Sequence, residues 1–335
     1  MDDGEMVGQG KGVPQARPTR RTTAKDYVWP VIGLSAVAFS IWLLVRELRG
    51  ISLHDVIDSL NAIASHNWLL AAGSTLLAYT ALAGYDRIAL LHLHRKVGWL
   101  FITLCSFTTY ALAHNIGMSV MSGAVVRYRA YASQGLSAGE VGILVAFCSF
   151  TFGLGTILSG GVVLVIEPAL AERYFADLPT GVGRVIGVGM LAFVALYVVG
   201  SWLNLKPLKI GRFELRYPKL SIVAQQLIVG PLEVMGAAGI IYWVLPEAGN
   251  PGFLIVLGIF LASFSVALLS HAPGGLGVLE FVFLTGMPEV DQASVLAALV
   301  VFRLFYLLIP LVLSLFVVLA FERAQFFERA RRGSA

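Results

Sequence analysis

The sequence has little charge and almost no cysteine. Only 13% of its 335 residues are Asp, Glu, Lys or Arg, whereas a soluble globular protein has about 25%. Its two cysteines, Cys105 and Cys148, lie in apolar runs without a CxxC spacing, which argues against disulfides and a zinc site. The basic residues form no stripe, and HExxH and P-loop motifs are absent. We therefore expect no nucleic-acid binding, no metal and no cofactor.

Apolar residues dominate instead, at 57% of the chain with a mean hydropathy of +0.80. Because a helix needs roughly 20 apolar residues to cross a bilayer, the charge-free intervals predict an all-α polytopic membrane protein with about eight transmembrane helices. The predicted spans are 28–45, 68–91, 97–126, 141–166, 185–205, 220–246, 248–279 and 292–321. We expect a basic, disordered cytoplasmic tail over 1–26, a transmembrane domain over 27–323 and a basic C-terminal tail over 324–335.

Two of these intervals are anomalous, 97–126 and 248–279. Both lack formal charge, yet they are too long for one helix and too short for two crossings, so one span plus a re-entrant piece fits each best. In 51–66 the apolar residues recur with a helical period opposite a polar face, which predicts a helix lying along the membrane surface. Charged and apolar residues alternate within 206–219, which predicts a small amphipathic hairpin at the surface. Pro310 is expected to kink the last span.

The orientation is only partly determined by the sequence. The basic residues at both termini and at 92–96 predict cytoplasmic ends and an even number of crossings. Eight spans would, however, place the basic segment 206–219 on the outside, against the positive-inside rule. Either this hairpin is an exception, or one re-entrant piece on each side crosses fully, and both alternatives remain open.

The strongest local motif is His271-Ala-Pro-Gly-Gly-Leu-Gly-Val-Leu-Glu280. Its proline and its glycines Gly274, Gly275 and Gly277 interrupt the helix, which a membrane protein tolerates only where the backbone is shielded or hydrated. Such a broken helix can direct backbone amides at an anion, and His271 could contribute to a polar cavity. The alternative is a simple loop at the membrane surface.

An earlier segment resembles this motif in kind. When residue 123 is aligned with residue 274, Arg129 falls on Glu280 and Glu140 falls on Asp291. Ser137 and Glu140 have the spacing of a capping box, and Pro288 is expected in a first helical turn. Many secondary transporters contain such a repeat, with two broken helices near one midplane site. Because the identities are few, chance similarity remains the alternative.

Charged residues within the spans are the other candidates for function, because an unpaired charge in hydrocarbon costs roughly 3 kcal/mol or more. They are Asp86, Arg87, Arg127, Arg129, Glu233, Glu280 and Arg303. Arginine suits a phosphate, and a carboxylate suits an amino group or balances the arginines, so both together suit a phospholipid head group. Alternatively, these residues form structural ion pairs, or Asp86 and Arg87 mark the membrane edge. We favour the structural interpretation, as ion pairs or markers of the membrane edge, for Asp86 and Arg87, and the functional one for Glu233 and Arg303.

The motif at 271–280, preceded by Ser270, resembles the Ser-His-x-Pro-Gly-Gly-x-Gly-x-x-Glu signature of a known family. This family comprises the transmembrane region of lysylphosphatidylglycerol synthases of the MprF type and their stand-alone YbhN-like relatives. The stretch from Ser122 to Ser137 is similar to that family's first arginine-bearing broken segment. The resemblance covers roughly Tyr27 to Arg323.

The resemblance implies a flippase-like domain, because this region of full-length members is regarded as moving lysylphosphatidylglycerol to the outer leaflet. Those members also carry a C-terminal lysyltransferase domain, whereas this sequence ends at Ala335, so we expect lipid handling without lysyl transfer. The predicted function is translocation of an anionic or aminoacylated phospholipid such as phosphatidylglycerol or its lysyl form. Open alternatives are a membrane subunit of a lipid-modifying enzyme, an envelope-assembly scaffold and a small-solute transporter.

On this prediction, Arg127 and Arg129 receive the lipid phosphate with help from the amides of Gly274 and Gly275. The carboxylates balance the arginines or receive an amino group, and Arg303 completes the cavity; the carboxylates are Glu280, Glu233 and Asp86. The expected partners are membrane phospholipids, a separate soluble lipid-modifying enzyme and a second copy of the chain.

Overall fold

The computed structural model of the chain describes residues 53–116, 119–175, 179, 181–203, 208–210, 213–215, 218–270, 275 and 277–333. The predictions for the tail 1–26, the first span 28–45, His271 and Gly274 fall outside these residues.

Helices make up nearly all of the described structure. In chain order the elements are α1 (Leu53–Ala62), α2 (Ser65–His92), α3 (Trp99–Ile116), α4 (Ser119–Ala132), α5 (Ala138–Ile166), a 3₁₀ helix (Pro168–Arg173), α6 (Val182–Trp202), β1 (Leu208–Ile210), β2 (Phe213–Leu215), α7 (Leu220–Val244), α8 (Phe253–Ser270), α9 (Val278–Gly286), α10 (Gln292–Arg303), a π-helical turn (Leu304–Leu308) and α11 (Ile309–Gly333).

The helices confirm the expected class of membrane protein. Within the described residues, α5, α6, α7 and the continuous stretch Gln292–Phe321 are long and apolar enough to cross a bilayer, and α8 is a shorter apolar helix. The total of eight spans stays a prediction. β1 and β2 pair antiparallel, with Leu208 opposite Leu215, which confirms the hairpin. α11 continues to Gly333 and so includes most of the basic segment that begins at residue 324.

α2 and α7 form the most extensive helix pair, and they run in opposite directions. Gly84 lies against Val229, and Gly236 lies against Ala78 near the other end of the contact. Small residues allow this close approach, as is common between membrane helices. The end of α2 and the start of α7 therefore lie at the same end of the bundle.

Basic residues collect at this end, which we call the basic end. It carries the end of α2, the loop after α2 and the connection before α7, whose described basic residues are His92, His94, Arg95, Lys96, Lys209 and Lys219. α5 also begins here, because Arg95 forms an ion pair with Glu140 (2.7 Å). Both basic loops therefore lie on one face, and the conflict with the positive-inside rule disappears.

The opposite end, which we call the acidic end, carries Glu167, Glu172, Glu247, Glu289 and Asp291 in its loops. Arg173 after α5 pairs with Glu289 before α10 (2.7 Å), and Gly249 after α7 lies against the Glu289 carbonyl. Burial raises the pKa of Tyr174, whose hydroxyl donates to the Val282 carbonyl (3.0 Å). These contacts hold three loops together at one end.

Each anomalous interval folds back on itself as a helical hairpin. In the first hairpin, α3–α4, Gly123 lies against Thr109 and the ring of Tyr131 lies 5.9 Å from that of Phe101. In the second hairpin, α8–α9, Gly286 lies against Ile259. The first hairpin opens at the basic end and the second at the acidic end, so each enters and leaves the bundle on one side. The expected combination of one span and a re-entrant piece is therefore wrong for both intervals, because neither runs from one end of the bundle to the other.

The two hairpins occupy equivalent places in two inverted halves. The first half is α2, the α3–α4 hairpin and α5, and the second is α7, the α8–α9 hairpin and α10 with its continuation. Because α2 and α7 run in opposite directions, the second half is inverted relative to the first. This arrangement supports the internal repeat expected from the alignment of residues 123 and 274.

Several local predictions can be compared directly with the structure. Ser137 caps α5 in a reciprocal capping box with Glu140, as expected. Pro288 is not in a first helical turn, because α10 begins later, with Asp291 accepting from the Ser294 amide (3.1 Å). The disturbance expected at Pro310 takes the form of the π-helical turn just before it, which accommodates the missing N–H.

The expected surface helix is present as α1. Val56 is buried against Leu296 and Ala297 of α10, so α1 covers the acidic end of the bundle. Its position relative to the membrane surface stays a prediction.

Candidate functional site

A fully buried ion pair connects α2 to the first hairpin. The Arg127 guanidinium donates from Nη2 to Asp86 Oδ1 (2.7 Å) and from Nε to Oδ1 and Oδ2 (3.2 and 3.3 Å). Asp86 has 0% exposure and Arg127 has 4%. Asp86 therefore forms a structural ion pair with Arg127, and its carboxylate faces the interior of the bundle. That Asp86 also marks the membrane edge stays a prediction.

Neighbouring side chains make further contacts with both members of this ion pair. The Tyr131 hydroxyl donates to Asp86 Oδ2 (2.9 Å), and the Cys148 thiol lies 3.4 Å from Oδ1. The ring of Tyr110 lies under the guanidinium, 4.7 Å from its central carbon, which adds a cation–π contact. The Nε/Nη2 edge of Arg127, the edge that binds an oxyanion bidentately, is thus already occupied by a carboxylate.

A second buried ion pair joins the second hairpin to α10. Arg303 donates from Nη1 to Glu280 Oε1, and Glu280 Oε2 accepts from the Gly277 amide (2.9 Å) at the start of α9. The side chains of Arg303 and Glu280 are 5% and 8% exposed. Glu280 therefore fixes both the helix start and the arginine.

This second pair leaves part of the arginine without a protein partner. Nε and Nη2 of Arg303 are buried, and neither has a hydrogen-bond partner in the described part of the chain. Because a buried N–H without an acceptor costs free energy, such a group calls for an explanation. The edge that Arg127 uses on Asp86 is open on Arg303.

Glu233 is the third buried charge, near the middle of α7. Its Oε1 accepts from the Tyr306 hydroxyl (2.6 Å) in the π-helical turn, while Oε2 is buried without a partner among the described residues. The Tyr306 carbonyl in turn accepts from the Tyr79 hydroxyl (2.9 Å). The carboxylate is held on one side and open on the other.

His114 and Asn115 connect the end of α3 to this cluster. The His114 ring stacks on Tyr306 (centroids 5.1 Å apart) and lies 5.7 Å from Tyr110. The Asn115 amide donates to the Leu307 carbonyl (3.2 Å). A row of aromatic rings thus extends from the Asp86–Arg127 pair to Glu233.

The remaining predicted site residues occupy different environments. Arg129 is exposed near the end of α4. Gly275 has φ +66°, where a side chain is strained. The Gly277 amide is not free for a ligand, because Glu280 accepts from it. The structure brings Asp86 to Arg127, and Glu280 to Arg303.

The sequence analysis missed the tyrosines that contact these charges, Tyr110, Tyr131 and Tyr306. Nothing in an apolar run distinguishes a tyrosine that donates to a buried carboxylate from one that only packs. The charges themselves were the available signal, because each buried carboxylate needs a donor. Among the described residues, no group of three His, Cys, Asp or Glu side chains could hold a metal ion.

Comparison with known proteins identifies relatives along almost the whole chain. The chain is similar to the uncharacterized protein slr0712 of Synechocystis sp., with 30% identity over 304 residues, 90% of this chain and 94% of that protein. It is 26% identical to the inner membrane protein YbhN of Escherichia coli over 328 residues, 96% of this chain and 99% of that protein. No protein-family model matches it.

A third relative is longer. Phosphatidylglycerol lysyltransferase of Bacillus subtilis is 23% identical over 293 residues, which make up 85% of this chain and 33% of that protein. The similarity to the two stand-alone relatives extends over nearly the full length of each. This chain therefore belongs to the family of YbhN-like membrane proteins, which resemble part of the phosphatidylglycerol lysyltransferases.

Proposed function

We propose that this chain is a translocase for an anionic or aminoacylated glycerophospholipid in the bacterial inner membrane. The observation that carries the proposal is the open Nε/Nη2 edge of Arg303, buried at the second hairpin. A planar guanidinium edge matches two phosphate oxygens bidentately. The relation to phosphatidylglycerol lysyltransferases, whose name specifies a phospholipid substrate, supports a lipid as the source of that phosphate.

The Glu280–Arg303 pair suits transient binding of a phosphate. Glu280 neutralises the arginine from the Nη1 side, so the empty site does not contain an isolated charge. A phosphate on the other edge would satisfy the two remaining nitrogens. Because Glu280 stays in place and repels a second anion, binding would remain reversible.

Glu233 provides a negative charge that complements the amino group of an aminoacylated lipid. Its free Oε2 could accept a hydrogen bond from an ammonium group, as in a lysyl head group, while Tyr306 holds Oε1. Arg127, by contrast, is engaged by Asp86 and supports the first hairpin. Arg129, exposed near the basic end, would make an earlier contact with the lipid phosphate.

The inverted hairpins suggest how the site could face both leaflets. One hairpin opens at each end of the bundle, as in secondary transporters built from inverted repeats around a midplane site. With the basic end in the cytoplasm, the positive-inside rule is obeyed by the loop at 92–96, by the β1–β2 hairpin and by the end of α11. Translocation would then be passive or ion-coupled, since no nucleotide-binding motif is present in the sequence.

The test is a leaflet-resolved assay in proteoliposomes with fluorescent phosphatidylglycerol and its lysyl form. Arg303→Lys keeps the charge beside Glu280 but lacks the planar edge, so we expect translocation to fall roughly tenfold or more. The matched control is Arg95→Lys, at an exposed pair with Glu140, which should keep the wild-type rate. A wild-type rate in Arg303→Lys would contradict the site.

One observation favours a second candidate, a membrane subunit that works with a separate lipid-modifying enzyme or a second copy of the chain. The lysyltransferase relatives are about three times longer than the region they share with this chain. This candidate predicts that the purified chain accelerates no lipid in the same assay, and that its expression changes the covalent lipid composition of cells.

A further inference from the structure

Arg87 faces away from the interior, although it is the neighbour of the buried Asp86. Its guanidinium carbon lies 5.0 Å from the centre of the Trp99 ring, and the side chain is exposed. Within the described chain, no carboxylate forms an ion pair with Arg87. This arginine is therefore a cation held in place by an aromatic ring, with its outer side open.

The surface around Arg87 is apolar. Leu91 and Trp99 are 44% and 45% exposed, and Leu100 and Leu104 are 72% and 41% exposed. Large exposed apolar side chains next to one another in a helical membrane protein face the acyl chains of lipid. Arg87 precedes the last residue of α2 by about 8 Å along the axis, at 1.5 Å per residue, so its guanidinium can reach the head-group level at the basic end.

A groove leads from Arg87 along the outside of the α2–α7 contact. Its wall on α2 includes Leu77, Gly84 and Ile88, and its wall on α7 includes Gln225, Ile228 and Leu232. Gly84 forms part of the floor, because a Cβ there would lie 3.1 Å from Val229. Apart from Thr80 and Gln225 the groove is lined by apolar residues, and it ends at a cation, which is the pattern of an acyl chain below a phosphate.

We propose that this groove binds one anionic phospholipid, with its phosphate on Arg87 over Trp99 and one acyl chain between α2 and α7. The occupant is a lipid rather than a soluble anion, because the groove continues from the cation into surface that faces hydrocarbon. At the head-group level, the phosphate of an anionic lipid would neutralise the guanidinium of Arg87. This site is separate from the buried Arg303 and does not depend on translocation.

Titration of the purified chain in detergent with dioleoylphosphatidylglycerol, read by native mass spectrometry, tests the proposal. We expect Arg87→Gln to weaken the tightest binding step roughly fivefold, as for loss of one basic contact at a membrane surface. Dioleoylphosphatidylcholine, which has no net charge, should bind wild type and variant equally. Glycerol phosphate, which has the same anion without chains, should not compete.

Two variants separate the site from general effects of charge and folding. Arg184→Gln removes another exposed arginine, at the start of α6 near the acidic end, and should bind phosphatidylglycerol as wild type does. Thr80→Phe fills the groove at an exposed position and should weaken both lipids while Arg87 is intact. Unchanged binding in Arg87→Gln, or an equal loss in Arg184→Gln, would overturn the proposal, whatever the translocation assay shows.

Discussion

The two helical hairpins have the same architecture, yet the buried arginine at each of them is paired differently. At the first hairpin, Arg127 places its Nε/Nη2 edge on Asp86, which also accepts from Tyr131. At the second hairpin, Arg303 uses only Nη1, on Glu280, and its Nε/Nη2 edge has no partner in the described part of the chain. One arginine is closed by the protein and the other is open on its oxyanion-binding side.

This difference shows that an ion pair within a membrane helix bundle can have two uses. When the bidentate edge is occupied, the pair stabilises the contact between a full-length helix and a hairpin. When that edge is free, the same pairing keeps a cation buried and neutral overall while it still offers hydrogen-bond donors to a ligand. The sign of the charges alone does not distinguish these cases, and the geometry of the guanidinium does.

The largest expected effect on stability comes from breaking the Asp86–Arg127 pair, in which the bidentate edge of the arginine is occupied. Asp86→Ala leaves Arg127 buried without its carboxylate, so we expect a loss of about 3–5 kcal/mol in the free energy of unfolding. Unfolding in mixed micelles with increasing SDS, followed by circular dichroism, measures it. Replacing both partners, in Asp86→Asn with Arg127→Gln, should recover part of that loss because no uncompensated charge remains.

The comparison predicts a smaller loss of stability at the Glu280–Arg303 pair, in which the bidentate edge of the arginine is free. Arg303→Lys should change the free energy of unfolding much less than Asp86→Ala does, because Glu280 keeps its cation. If both changes destabilise the protein equally, the second pair is as structural as the first, and the distinction between the hairpins is wrong.

Much of the fold was predictable because the bilayer imposes simple length rules. The intervals 97–126 and 248–279 were recognisable as anomalous, since a charge-free run that is neither one span nor two contains a re-entrant piece. The sequence predicted an additional span in each interval, whereas each is a helical hairpin that opens at one end. The side of the hairpin 208–215 was not predictable from the count of spans. It depends on the antiparallel contact of α2 with α7, a tertiary feature in which Gly84 meets Val229 and Gly236 meets Ala78.

The site was only partly predictable. The buried charges Asp86, Arg127, Glu280 and Arg303 were identified from the cost of charge in hydrocarbon, but their pairing was not, because it depends on which hairpin packs against which helix. For Arg127 the sequence favoured a role in phosphate binding, whereas the structure pairs it with Asp86. Phosphate binding stays a proposal for Arg303 and Arg129.

A substitution at Glu233 tests the proposed lipid site with a smaller effect on stability than the changes at the two ion pairs. Glu233→Gln removes the charge and keeps an oxygen that can accept from Tyr306, so stability should hardly change. If Oε2 receives the ammonium of an aminoacylated lipid, translocation of lysylphosphatidylglycerol should fall roughly fivefold, because a charged hydrogen bond becomes a neutral one. Translocation of phosphatidylglycerol itself should be unaffected, and an equal fall for both lipids would exclude an amino-group site.

The smallest effect is expected at the tip of the second hairpin. Gly275 and Gly135 both have positive φ, +66° and +80°, so an alanine at either costs roughly 1–2 kcal/mol in backbone strain. Gly135 has open space for a Cβ, whereas a Cβ on Gly275 would meet Leu279 and lie 3.2 Å from Ala267. Gly275→Ala should therefore destabilise the protein by about 1 kcal/mol more than Gly135→Ala, the low end of the cost of overpacking. Equal losses in the same SDS titration would mean that Leu279 moves aside freely, and that the hairpin tip next to Glu280 is loosely packed.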